Sequence, residues 1–254
     1  MQSLADAIVC EYSRKGIKEY DEVFDLCNRI LAECTDSTTR YKAISTLGRG
    51  YEFAGKSDEM LKLAEELPRA HFSYENFMMY RWKGDADFQE FQGYLSFLIY
   101  HTAGMIELAV GQKHDNGEFI YSLEDRMYLW KTTVNFLELM FPDGDYQIKA
   151  QLGESACAFL CSAYLRKQNY EEAWHWLEKG ADFAIHMDTY DFDANHTSPI
   201  LRGYSSGGWI PETERTRSQS MLNWLTTDYE AIGLRSDARY EVLVDRLKEL
   251  AKKS

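Results

Sequence analysis

The chain has 254 residues, with 28 Lys and Arg against 41 Asp and Glu, a formal net charge of −13. Its 45% hydrophobic and 14% aromatic content can bury a sizeable core, which excludes wholesale disorder, and 4 Pro with 16 Gly are too few for the turns of a many-stranded β fold. The acidic balance argues against this chain gripping a phosphate backbone by itself, because such binding depends on Lys and Arg displacing counterions.

Apolar residues recur at i, i+3, i+4 and i+7 almost throughout. This spacing predicts helices over 2–15, 19–34, 38–54, 57–67, 73–82, 86–112, 122–141, 147–167, 170–187, 214–226 and 237–251. Start signals accompany several of them: Ser122 before Asp125, Asn169 before Glu172, and Ser236 or Asp237 ahead of the last helix. Breakers fall between them, at Gly16, Gly55-Lys56-Ser57, Pro68, Gly84-Asp85, Asn116-Gly117 and Pro142-Asp143-Gly144-Asp145. The stretch 188–213, rich in Asp, Ser and Gly, has no helical pattern and is long for a structureless loop. The longest apolar run, Tyr94–Val110, is interrupted by Ser96, His101, Thr102, Gly104 and Glu107, so it is expected to be a buried helix face rather than a membrane span.

The first residues carry no basic region followed by an apolar core of the secretory kind, and a cytoplasmic protein is expected. Five cysteines occur without a CxxC pair, and Cys157 and Cys161, one helical turn apart, are expected to be small core residues rather than metal ligands.

Two segments follow the tetratricopeptide spacing, in which a small residue lets one helix of a hairpin approach the other and an aromatic wedges between them. In the first, Leu47-Gly48, Tyr51, Gly55, Ala64 and Phe72 occupy the repeat offsets. In the second, Leu160-Cys161, Tyr164, Tyr170, Ala173, Leu177 and Gly180 do so. A poorer copy opens the chain at Tyr12, Gly16 and Tyr20, and Met60 and Ile185 stand where Ala and Pro are usual. The expected fold is therefore all-α, a right-handed α-solenoid of tetratricopeptide-like hairpins over 1–213, closed by a helical cap over 214–254.

Three further stretches resemble the helical C-terminal part of Firmicutes regulators that carry an N-terminal helix-turn-helix of the Xre class. They are Cys27–Leu31 through Ala64–Pro68 and on to Trp82-Lys83-Gly84-Asp85; His196–Leu201; and Leu222–Leu225 with Tyr229-Glu230 and Asp237–Tyr240. In relatives the last stretch carries two prolines where Ala231 and Ala238 stand here. The resemblance implies an effector module without chemistry of its own, and a helix-turn-helix would precede residue 1.

Candidate chemistry is thin. Gly203-Tyr204-Ser205-Ser206-Gly207 matches a hydrolase nucleophile elbow, but no strand is expected before it, and all six histidines precede Ser205. His186, Asp188, Asp191, Asp193 and His196 fit no cation loop and are expected to form a solvated acidic stretch. His101 is expected to be a hydrogen-bonded core or groove residue, and the tryptophans are expected to wedge between helices. No nucleophile, base, metal or cofactor motif survives, so a non-enzymatic binding module is expected, without cofactors. Its partner is expected to be a peptide or protein, with no nucleic acid or membrane; a homodimer scaffold, or a small-molecule sensor or enzyme pocket between 86–112 and 188–213, are the alternatives. On the repeat offsets Lys42, Ser45, Arg49 and Glu52 face the groove in the first repeat, and Ser155, Ser162 and Arg166 in the second. Arg49 and Arg166 are the expected carboxylate grips, because a guanidinium offers a planar bidentate fork.

Overall fold

Helical periodicity becomes helix wherever the computed structural model describes the chain, over residues 2–17, 19–65, 84–191, 193–205 and 216–251. The helix expected over 73–82 lies outside these residues. Among the described residues there are ten α-helices and no strand, only an isolated antiparallel bridge between Lys113 and Phe119. The chain forms two compact units, one holding the described residues up to Glu65 and the other those from Gly84 on.

The first unit contains α1 (Gln2–Lys15), α2 (Asp21–Glu33), α3 (Ser37–Phe53) and α4 (Ser57–Glu65). α2 buries Val23, Phe24, Cys27 and Ile30, a stripe at helical spacing that packs on Ala5, Val9, Ala43 and Leu47. Asp36 caps α3 by accepting from the Thr39 N–H at 2.7 Å. Gly55 ends it at φ 71°, and the Lys56 N–H reaches back to the Tyr51 carbonyl at 2.8 Å in a Schellman closure.

The second unit contains α5 (Asp85–Gly111), α6 (Leu123–Met140), α7 (Ala150–Arg166), α8 (Tyr170–Thr189), α9 (Arg217–Thr227) and α10 (Arg239–Ala251). Consecutive helices pack on one another, α7 on α8 most extensively, and α9 and α10 both reach α8. The expected caps form: Ser122 accepts from the Asp125 N–H at 3.1 Å and Asn169 from the Glu172 N–H at 3.3 Å, while Asp237 accepts from the Arg239 N–H at 2.9 Å. The core gathers Trp130, Cys157, Leu160, Cys161, Trp174, Leu177 and Leu225, so both cysteines of α7 are core residues. Fully burying each large side chain here contributes roughly 1.5–3 kcal/mol.

Three expectations change. The helix predicted over 147–167 begins as a 3₁₀ turn at Gln147–Lys149, because Gln147 sits at φ 48° and breaks the α ladder. The run Tyr94–Val110 is not a wholly buried face. Ile99, Ala103 and Val110 point inward, but Phe97, Met105 and Leu108 are exposed, because the run is apolar around more of its circumference than one contact stripe needs. His101 is also exposed and rests on the Phe97 ring, 4.0 Å between centroids.

α7 closes like α3 but without glycine. Gln168 stands at φ 57° while the Asn169 N–H donates to the Tyr164 carbonyl at 3.0 Å. A left-handed conformation costs a side-chain-bearing residue roughly 1–2 kcal/mol. Gln168→Gly is accordingly expected to stabilise the protein by about 1 kcal/mol, read as a higher midpoint in urea unfolding; an unchanged or lower midpoint would refute this.

Candidate functional site

Two cavities lined by described residues lie side by side on α7 in the second unit. The first, about 300 Å3, has α5, α6, α7 and the 112–122 connection as walls, and Arg126, Arg166, Glu107, Phe119, Trp130 and Phe159 among its lining. The connection is a tight turn at Asn116-Gly117, with Gly117 at φ 84°, and the His114 N–H donates to the Glu118 carbonyl at 2.8 Å. That turn delivers Phe119. The Arg126 guanidinium lies 3.7 Å from the centroid of its ring, and Lys113 Nζ lies 4.8 Å from it. A stacked pair, Trp130 on Phe159, also lines the cavity, with centroids 4.9 Å apart and planes 8° from parallel, and the Arg126 guanidinium lies 5.7 Å from the centroid of the Trp130 ring.

The electrostatics of this cavity are unusual for so acidic a chain. Burial, and then the neighbouring Arg166 charge, weaken the hold of Arg126 on its proton, and its Nε is buried with no hydrogen-bond partner. Glu107 is pushed upward by burial, and the cation that draws it back is Arg217 of α9.

The second cavity, about 230 Å3, shares Phe159 and Ser162 with the first and continues past Trp176, Met221 and Trp224. Glu154 lines it and is raised by burial despite Arg217, whose Nη1 lies 3.4 Å from Glu154 Oε2. Arg217 also donates to Gln151 Oε1 at 3.3 Å, and Gln151 donates to the Tyr100 hydroxyl at 2.7 Å. A polar seam thus crosses α5, α7 and α9 beside the apolar slots.

No protein-family model, curated protein or solved structure matches the chain.

The seven predicted groove residues divide between the two units. Lys42, Ser45 and Glu52 are exposed on α3. Arg49 is already engaged: its Nη2 donates to Asp6 Oδ1 of α1 at 2.9 Å, so an internal carboxylate holds the fork expected to grip a ligand. Thr46 joins the same Asp6 carboxylate. In the second unit Ser162 and Arg166 line the first cavity together, whereas Ser155, half-buried on α7, lines neither.

Sequence reasoning missed Arg126, Glu107 and Phe119. The available signal was Arg126 one turn before Trp130 at the start of α6. Trp130 does wedge between helices as expected, and it also forms a cavity wall.

The other sequence leads resolve structurally. No strand precedes Ser205: residues 199–203 form turns, and Ser206 and Gly207 lie outside the described residues. Among the described residues no group of His, Cys, Asp and Glu is placed to hold a metal ion. The acidic stretch 186–196 is not simply solvated. Asp188 caps α9 by accepting from the Arg217 and Ser218 N–H groups at 2.9 and 2.8 Å, and His196 is buried. Where a small-molecule pocket was an alternative, α5 meets the described part of the loop directly: Gln92 donates to the Arg202 carbonyl at 3.0 Å, and Tyr204 lies against Gly93.

Proposed function

We propose that the chain is a tetratricopeptide-like array that binds a peptide or protein segment, without catalysis, as the effector part of a transcriptional-regulator system. In this reading α5/α6, α7/α8 and α9/α10 are successive hairpins, in agreement with the consecutive packing of the helices. The α7/α8 pair is the one whose repeat spacing is clearest, and it carries Ser162 and Arg166 into the first cavity.

The observation that carries the reading is the pair Arg126 and Arg166 set between aromatic walls, in a protein of net charge −13. Arginine forks framed by Phe and Trp recognise an anionic group carried on an apolar body, which is what a peptide presents.

A pool of random hexapeptides, half with free and half with amidated C-termini, tests this on the full chain by affinity selection and mass spectrometry. Wild type is expected to retain a subset of peptides that the Arg126→Gln/Arg166→Gln double variant retains at least ten-fold less. Retention that is equal in both would remove this site, and no retention by wild type would overturn peptide binding.

A further inference from the structure

The outward side of α5 carries an inference that does not depend on what either cavity binds. We infer that this side is a self-association surface, which a second copy of the chain covers with its own α5 in an antiparallel pair.

The helix is apolar on two opposite sides. Gln92, Ser96, Ile99, Ala103 and Val110 are buried and mark the side turned to the rest of the unit. At about 100° per residue, Phe91, Tyr94, Leu98, His101, Met105 and Leu108 run along the far side. Their spacing alternates three and four residues, which is the period of a two-helix seam. Phe97 widens the stripe, with its ring centroid 6.2 Å from that of Tyr94 and 4.0 Å from that of His101. No Asp, Glu, Lys or Arg stands between Glu90 and Glu107, and Glu107 lines a cavity instead.

The area of this stripe argues for a cover. Phe91, Phe97, Leu98, Met105 and Leu108 are each between 37 and 62% exposed. That amounts to roughly 500–600 Å2 of apolar side chain on one copy, the upper end of what a monomer leaves open. Two copies together bury about 1,000–1,200 Å2, which reaches what a specific interface requires. A lipid surface fits less well, because helices that lie on membranes flank their apolar side with Lys and Arg, and α5 has neither.

Charge sets the direction. An antiparallel pair centred between Ile99 and Tyr100 matches Leu98 with His101, Tyr94 with Met105 and Phe91 with Leu108, so every member of the stripe meets another. It also brings Asp87 and Glu90, in the first turns of α5, towards Lys113, just past the end of the other copy's helix. A parallel pair would instead set Glu90 against Glu90 and Lys113 against Lys113.

Sedimentation equilibrium of the full chain at micromolar concentration tests the inference. Wild type is expected to show about twice the 29.6 kDa mass of one chain. Met105→Glu, checked for unchanged helical circular dichroism, should weaken the dimer at least about ten-fold. Oxidative cross-linking reads the direction. Phe91→Cys mixed with Leu108→Cys should give more covalent dimer than wild type, whereas neither variant alone should, because like positions lie at opposite ends of the pair. If Met105→Glu fails to fold, the cysteine mixture decides alone.

A monomeric wild type would overturn self-association, including one that sediments with phospholipid vesicles. A dimer that Met105→Glu leaves intact would overturn this surface, and cross-linking of either cysteine variant alone would overturn the antiparallel direction.

Discussion

Asp145→Ala is expected to cost about 3–5 kcal/mol of unfolding free energy, because this carboxylate neutralises a buried polar junction. Asp145 Oδ2 accepts from the Thr197 N–H at 2.6 Å and faces His196 Nδ1 at 3.1 Å, so Nδ1 carries the proton and Nε2, buried without a partner, stays bare. The neighbouring Asp143 accepts from the Thr197 hydroxyl at 2.9 Å and from the Ser198 hydroxyl; burial raises its carboxyl, but these bonds outweigh it and hold it below the usual range. Lys149 is 1% exposed, and burial pushes its ammonium down to about 8, with Asp145 the charge that opposes the fall. Removing Asp145 therefore strands a buried lysine as well as a buried imidazole.

Lys149→Met shows whether this account is right. A native pKa of about 8 against about 10.4 unfolded means that the folded state holds fewer protons between those values. Stability contributed by Lys149 is thus absent at pH 7 and gained as pH rises from about 8 towards 10. His186 and His196, both lowered chiefly by burial, add stability that is complete above about pH 6.5 and lost as pH falls below it. Lys149→Met should accordingly stabilise the protein by about 1–3 kcal/mol at pH 7 and flatten its gain between pH 7 and 9.5. In the Asp145→Ala background it should recover part of the loss. Urea unfolding at the two pH values reads all of this, and a cost below about 1 kcal/mol for Asp145→Ala would show that the junction is not held by its charge.

That junction also marks how far the sequence could be read. Helices, caps and core cysteines were legible because their causes are local: Ser122 and its Asp125 N–H are three residues apart, and Cys157 and Cys161 sit on an apolar stripe. The ends of 188–213 were not, because their partners are distant. Thr197 bonds to Asp143 and Asp145, more than fifty residues away, and no periodicity reports such a pairing. The same limit governed the site. The repeat offsets named Arg166, which lines a cavity, whereas Arg49 is held by Asp6, 43 residues earlier, and Arg126 stacks on Phe119, which a turn outside any helix delivers.

Gly153→Ala is expected to destabilise the protein by about 2–3 kcal/mol, against the ordinary preference for Ala over Gly inside a helix. A Cβ on Gly153 of α7 would stand 2.6 Å from two atoms of the Phe183 ring on α8, inside any real carbon contact. Phe183 cannot swing away, since it is buried against Tyr146 with ring centroids 4.8 Å apart. Gly180 repeats the device from the other helix, where a Cβ would meet that of Cys157 at 3.1 Å. Gly104 of α5 is the control: nothing lies within 4 Å of its Cβ position, so Gly104→Ala should stabilise by about 0.5–1 kcal/mol. Opposite signs for one substitution in two helices would mark α7 and α8 as a hairpin set by close approach. Phe183→Leu, which shortens the obstructing ring, should cost less in the Gly153→Ala background than in wild type. If instead Gly153→Ala raises the urea midpoint as Gly104→Ala does, α7 and α8 do not approach as closely as Gly153 and Phe183 stand.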